Sequence, residues 1–104
     1  EDLKRIGRAD DVAIMMFTEF GRRVEENASL GTDHGTATPM FVIGNGVQGG
    51  LHGRHPSLTD LDDGNLKMTT DFRRVYATMI EQWLGFEDSA SILKGSFRPI
   101  GLFA

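Results

Sequence analysis

Four residues with the chemistry to hold an ion or an ester lie beside two short apolar runs. Glu19 and Arg22 follow residues 12–17, and Asp33 and His34 precede residues 40–43. A carboxylate oxygen and an imidazole nitrogen are common ligands of zinc and similar divalent ions, which makes Asp33-His34 a candidate metal pair. Neighbouring residues on a strand point to opposite faces, so the pair could converge on one ion only from a loop. Gly31 and Gly35 on either side permit such a loop. The plainer alternative is a turn capped by Asp33 with His34 in solvent, and a lone Asp-His dipeptide is a weak motif that favours it.

Glu19 comes directly after a buried-looking run, where a carboxylate can serve as metal ligand or general base, or simply pair with Arg22 or Arg23. Arg22 offers the planar fork that clamps phosphate or sulfate, and the same fork could neutralise Glu19. Thr18 and Thr32 carry hydroxyls, but no base at readable spacing activates them, and neither is assigned as a nucleophile. Residues 44–50, Gly-Asn-Gly-Val-Gln-Gly-Gly, invite a phosphate-loop reading. They lack the closing Gly-Lys-Ser/Thr, and the stretch after them is not helical, so they are taken as structural turns. His52 and His55 are read as exposed loop residues outside any known metal spacing. Met15, Met16, Met40, Met68 and Met79 are read as core filling.

These residues need elements to position them. Residues 12–18 are uninterrupted apolar sequence ending in Thr18, expected as a strand covered on both faces of a parallel or mixed sheet. Pro39 opens a second strand at residues 40–43, which stops at Gly44-Asn45-Gly46. Open α/β sheets place ligands where strands give way to loops, and the charged groups gather at such ends here. Residues 22–29 read equally as a helical turn or an exposed loop, and residues 54–65 as an extended surface loop. Residues 66–68 suggest one short strand. The clearest helix joins Phe72, Val75, Tyr76, Met79, Ile80, Trp83 and Leu84 in one apolar stripe. Thr69 or Thr70 can cap it, Asp71 suits the positive end of its dipole, and Gly85 stands where a closing glycine belongs. The tail of a helix is expected before Arg8, a short helical turn at residues 88–93, and an apolar segment at residues 96–104 that packs against something.

At 104 residues the chain is expected to be a single domain, 1–104. It opens on Glu1 rather than methionine, a hint of truncation. A net charge of -4 argues against general nucleic-acid binding, which needs a basic face. With no cysteine, disulfides and thiolate chemistry are excluded. No apolar run approaches the roughly 20 residues that cross a bilayer, so no membrane span is expected. Strand edges left bare by truncation would favour self-association.

Several motifs occur in order: Thr18-Glu19-Phe20-Gly21-Arg22, Gly31-Thr32-Asp33-His34-Gly35, Phe41-Val42-Ile43-Gly44, Val47-Gln48-Gly49-Gly50, Thr69-Thr70-Asp71-Phe72-Arg73, Trp83-Leu84-Gly85 and Ile92-Leu93-Lys94-Gly95. In this series the chain resembles, from about Leu3 to its end, the C-terminal part of exported bacterial proteins called domain of unknown function fifteen-oh-one. Those are relatives of sulfatases in the alkaline-phosphatase-like superfamily. The resemblance implies an α/β class, as part of an alkaline-phosphatase-like sandwich with a short mixed sheet and flanking helices. It implies hydrolysis of phosphate or sulfate esters by an intact parent with one or two divalent metals, zinc, calcium or similar. By the same resemblance Asp33 and His34 match a metal-binding Asp-His-Gly signature, and Glu19 falls near the strand end that faces the site. In typical members that signature follows its strand directly, whereas here Glu19-Phe20-Gly21 holds that place. The nucleophile and other ligands would lie in a missing N-terminal part, along with a twin-arginine export signal, so this chain by itself is expected to be catalytically silent. The alternative is a non-catalytic exported scaffold or binding domain.

Overall fold

The computed structural model describes residues 1–103. In chain order it forms a helical turn α1 (Asp2–Arg5), a 3-10 turn (Ala9–Asp11), strands β1 (Ile14–Met16), β2 (Gly21–Glu26), β3 (Thr32–Gly35), β4 (Phe41–Ile43), β5 (Leu61–Asp62) and β6 (Asn65–Leu66), helix α2 (Phe72–Thr78) continued by a π turn (Met79–Trp83), and helix α3 (Ser89–Leu93). Helices mixed with small antiparallel sheets are consistent with an α/β class. The expected single mixed sheet is replaced by three two-stranded ones, β1 with β4, β2 with β3, and β5 with β6. The chain divides into two compact units, one of Glu1–Ile14, Val42–His52 and Thr70–Ala104, the other of Met15–Phe41 and Gly53–Thr69. Residues 12–18, expected to be covered on both faces, yield only the three-residue β1, whose Ile14 and Met16 are 46% and 52% exposed. Its paired neighbour β4 lies edge to edge with it and covers neither face.

The first unit is built on α2. Asp71, with extended backbone, is its N-cap, in place of the threonines before it: its Oδ1 accepts from the Arg73 backbone N–H at 2.9 Å. The Arg73 guanidinium grips the same carboxylate through Nε at 2.9 Å and Nη2 at 2.6 Å. That hydrogen bonding holds the Asp71 carboxyl below the usual carboxylate range and raises Arg73. Of the apolar stripe Val75 is buried and Tyr76, Met79, Ile80 and Trp83 are half-buried, while Phe72 and Leu84 at its ends are exposed; Ala77, outside the stripe, is buried beside it. The helix runs into the π turn, where Leu84 N–H bonds Met79 O at 3.0 Å. Gly85 closes the helix at φ +72°, a conformation that costs glycine little.

The apolar segment near the C-terminus packs as expected, over the described residues. Thr78 is fully buried, and its hydroxyl donates to Arg74 O at 2.7 Å while accepting from Ile100 N–H at 2.8 Å. Arg74 Nε reaches Arg98 O at 2.8 Å, Phe103 stacks on Trp83 with centroids 5.6 Å apart, and Leu102 is buried. The glycine-rich stretch after β4 is fastened to this segment, Gln48 N–H donating to Leu102 O at 2.7 Å. Helix α3 is capped by Asp88, which accepts from Ser91 N–H, as the expected turn at residues 88–93 requires.

The second unit is two hairpins. Residues 22–29, read as a turn or loop, are largely strand β2, paired antiparallel with β3 in the register Gly21↔Gly35 and Arg22↔His34. Asn27 fixes the loop between them: its Oδ1 accepts from Ser29 and Gly31 N–H groups at 3.0 and 3.1 Å. Strands β5 and β6 form the second hairpin inside what read as surface loop and a single strand. Its turn is Asp63-Gly64, both residues at positive φ (49° and 81°), as a two-residue primed turn demands. Arg23 joins the hairpins by donating through Nη2 to Asp63 O, and Thr36 Oγ1 donates to Leu66 O at 2.9 Å. The positive φ at Gly64 favours glycine there, and any Cβ would also have to displace the Arg23 guanidinium.

Candidate functional site

The β2–β3 ladder decides which of the candidate residues can act together. Arg22 and His34 are direct partners across the ladder, so their side chains leave on the same face, and Phe20 lies two residues before Arg22. The His34 imidazole stacks on the Phe20 ring with centroids 3.5 Å apart and planes 15° apart. The Arg22 guanidinium lies 5.3 Å from the centroid of the same ring. Phe20 thus ties a histidine and an arginine into one cluster, a geometry in which the ring face attracts the cation. Arg22 Nη1 also donates to Thr32 O at 2.7 Å.

Asp33 is next to His34 on a strand rather than in a loop, so the two side chains leave on opposite faces. Asp33 Oδ1 accepts from Asn27 Nδ2 at 3.0 Å, which ties it to the hairpin loop. Glu19 is exposed and forms no ion pair among the described residues; the ion pairs are Arg5–Asp2, Arg8–Asp11, Lys67–Asp60 and Arg73–Asp71. Arg22 is therefore not neutralised by Glu19. No three His, Asp or Glu residues among those described gather so as to hold a metal ion. Asp33, His34 and Glu19 do not by themselves fit a divalent cation, and any such site would need ligands from other sequence.

Next to the cluster is a cleft of about 470 Å³ lined by Thr18, Phe20, Gly21, Arg22, Ala37, Thr38, Pro39 and Leu66. A smaller hollow of about 140 Å³ shares Thr18, Thr38 and Pro39 with it and adds Met16, Phe17 and Phe41. The two threonines bond each other at 3.2 Å, and Thr18 Oγ1 donates to Phe20 O at 2.5 Å, so their hydroxyls are already engaged. Arg22 is left as the charged member of an otherwise largely apolar lining. Gly21 is buried at the cleft wall, where a Cβ would overlap the Ala37 carbonyl.

Of the residues singled out in the sequence, the fold brings Arg22 and His34 together and sends Asp33 elsewhere. Phe20, Ala37, Thr38 and Leu66 had not been singled out as site residues, nor had Pro39 beyond its place at a strand start. The available signal was Asp63-Gly64, a strong hairpin mark that pairs Leu66 with Leu61. His52 and His55 take part in local contacts, with Gln48 O at 2.9 Å and Pro56 O at 2.7 Å.

The fold and cleft define a small α/β chain that displays an arginine over an aromatic pair at the edge of an apolar hollow. The family model described as "Protein of unknown function (DUF1501)" matches residues 1–97, and the chain belongs to that family. No curated protein and no solved structure matches it. No helix among the described residues is long and apolar enough to cross a membrane.

Proposed function

We propose that this chain is a non-catalytic binding element that presents Arg22 to an anionic group at the mouth of its cleft. The observation that carries this reading is the shared face of Phe20, Arg22 and His34 beside the cleft, with Asp33 turned to the other face. A guanidinium carries five N–H donors, and Arg22 uses one, on Thr32 O. The rest suit a carboxylate, sulfate or phosphate. In the setting implied by the resemblance, the chain would be the C-terminal part of an exported, sulfatase-related α/β protein. Missing N-terminal sequence would then supply any nucleophile and any metal ligands of an ester hydrolase.

Titration of the chain with sulfate, phosphate and acetate, followed by the amide signals of residues 20–22 and 34, tests the reading. Saturable shifts are expected, weakened about tenfold in Arg22→Gln. Equal binding by both proteins would end it. A hydrolase site centred on Asp33 and His34 makes the opposite demand on the intact parent: His34→Ala should abolish metal content there, whereas the binding-element reading expects metal content unchanged.

Within the second unit, exposed Met16 and Phe41 favour a second copy of the chain as partner. Isolated chain is expected to sediment as a concentration-dependent oligomer, and a clean monomer at high concentration would count against this.

A further inference from the structure

We propose that Asn45, in the first unit, is a site of spontaneous deamidation, and that its conversion to a carboxylate severs the bond tying the 3-10 turn (Ala9–Asp11) to the turn after β4. Residues 44–47 form that second turn, closed by Val47 N–H on Gly44 O at 3.2 Å, with Asn45 and Gly46 at its centre. Both central residues are exposed. The far end of the turn is pinned, since Val47 bridges to Phe103 and Gln48 N–H donates to Leu102 O at 2.7 Å. The centre is not. Among the described residues no hydrogen bond holds Gly46 N–H, and glycine places no side chain beside that nitrogen. The one long, exposed bond across the turn opens at low cost, which lets the nitrogen reach the Asn45 side chain.

The chemistry needs only water. The Gly46 backbone nitrogen gives up its proton and attacks Asn45 Cγ; a Cγ–N bond forms, the Cγ–Nδ2 bond breaks, and the side-chain nitrogen leaves as ammonia, carrying a proton in exchange. Water then opens the five-membered imide at either carbonyl, which leaves an aspartate or an isoaspartate whose backbone runs through Cγ. Each event adds one negative charge to a chain of net charge -4. The chain has two further asparagines, and neither precedes a glycine. Asn27 is followed by Ala28, and its Oδ1 is held by Ser29 and Gly31 N–H groups at 3.0 and 3.1 Å. Asn65 is followed by Leu66, with both residues in β6.

The consequence follows from what Asn45 now holds. Its Nδ2 donates to Asp10 Oδ1 at 2.9 Å. After conversion the donor is an oxygen, and two carboxylates face each other where a hydrogen bond stood, a contact that like charge disfavours. Arg8, two residues before Asp10, is already paired with Asp11 at 2.8 Å. The reaction is therefore a one-way release of residues 9–11 from the turn.

The test incubates the 104-residue chain in warm, mildly alkaline buffer and maps amide-to-acid conversion by peptide mass spectrometry. Conversion at Asn45 is expected at least about tenfold faster than at Asn27 or Asn65, a barrier lower by ~1.4 kcal/mol. Folding is expected to protect Asn45 by less than about tenfold relative to the same chain in urea, which separates an open turn from a reactive sequence. A smaller margin in the first comparison, or stronger protection in the second, overturns the site. Gly46→Ala should slow the reaction and keep the fold, because its Cβ would lie 3.8 Å from Phe103 Cδ1, an ordinary contact; an unchanged rate would mean that Gly46 is not the attacking group and overturns the site as well. Asn45→Asp stands in for the product, and trypsin is expected to cut it after Arg8 several-fold faster than the parent. Equal cleavage of the two proteins overturns the release.

Discussion

The two units of the chain are held together by different means. In the unit that carries α2, burial does the work: Val75, Ala77, Thr78, Ser89 and Leu102 are all buried there. In the unit that carries the cleft, Gly21 is the buried residue among those described, and order comes from turns, backbone pairing and the Arg23 link between hairpins. Burying apolar area resists local change, whereas exposed backbone hydrogen bonds open at low cost. The candidate site therefore sits where side-chain packing is thinnest.

The largest effect is expected at the joint of the hairpin unit. In Gly21→Ala the new Cβ would overlap the Ala37 carbonyl, and backbone cannot swing aside as a flexible side chain can. We expect a loss of roughly 3 kcal/mol in that unit, the upper end of overpacking costs. Anion binding should vanish while the far-UV signal of α2 persists. Should α2 melt together with the hairpins, the contrast between the units would be wrong and the chain would be a single cooperative body.

The same contrast explains what the sequence made legible. Helix α2 announces itself because Val75, Tyr76 and Met79 repeat at the helical period, a pattern produced by burial on one face. The closing place of Gly85 followed from local turn chemistry. Strand β2 has no such signature: Gly-Arg-Arg-Val-Glu-Glu is charged on both faces, because little of this strand is buried. Hydrophobic period therefore cannot reveal it, and the identity of Asp33-His34 as strand residues was hidden with it. The cleft was harder still to foresee, since Thr18, Thr38 and Leu66 meet only through two hairpins whose registers are set by backbone pairing and turn geometry. Arg22 could be named as an anion contact from its side chain alone, but its pairing with His34 is a property of the register.

A second, smaller effect probes the packed unit. Thr78→Val preserves shape and removes the hydroxyl that accepts from Ile100 N–H, leaving that donor unpaired beside a fully buried side chain. The expected cost is about 1–3 kcal/mol, or a fall in Tm of several degrees. Thr78→Ser should recover most of it by restoring the hydroxyl. Anion binding should be unchanged in both variants, since Thr78 belongs to the other unit. A valine variant as stable as the parent would show that the C-terminal segment is held by Leu102 and Phe103 rather than by this bond.

The smallest effect separates charge from capping at the start of α2. Asp71 is held below its ordinary range chiefly by its hydrogen bonds with Arg73, so the folded chain binds its proton less readily than the unfolded chain does. The sign follows directly: this contribution is complete above the unfolded carboxylate range and is lost as pH falls through the lowered folded value. Asp71→Ala removes the N-cap and should cost about 1 kcal/mol at neutral pH. Asp71→Asn keeps an oxygen to accept from Arg73 N–H but cannot titrate. Its stability should therefore lie between those of the parent and the alanine variant at neutral pH, and the parent's lead over it should shrink as pH falls from about 5 to about 2, through the carboxylate range. Urea midpoints of the three proteins across that interval check the assignment. Parallel acid losses in the parent and the asparagine variant would move the acid sensitivity of the helix unit away from Asp71 and onto its other carboxylates.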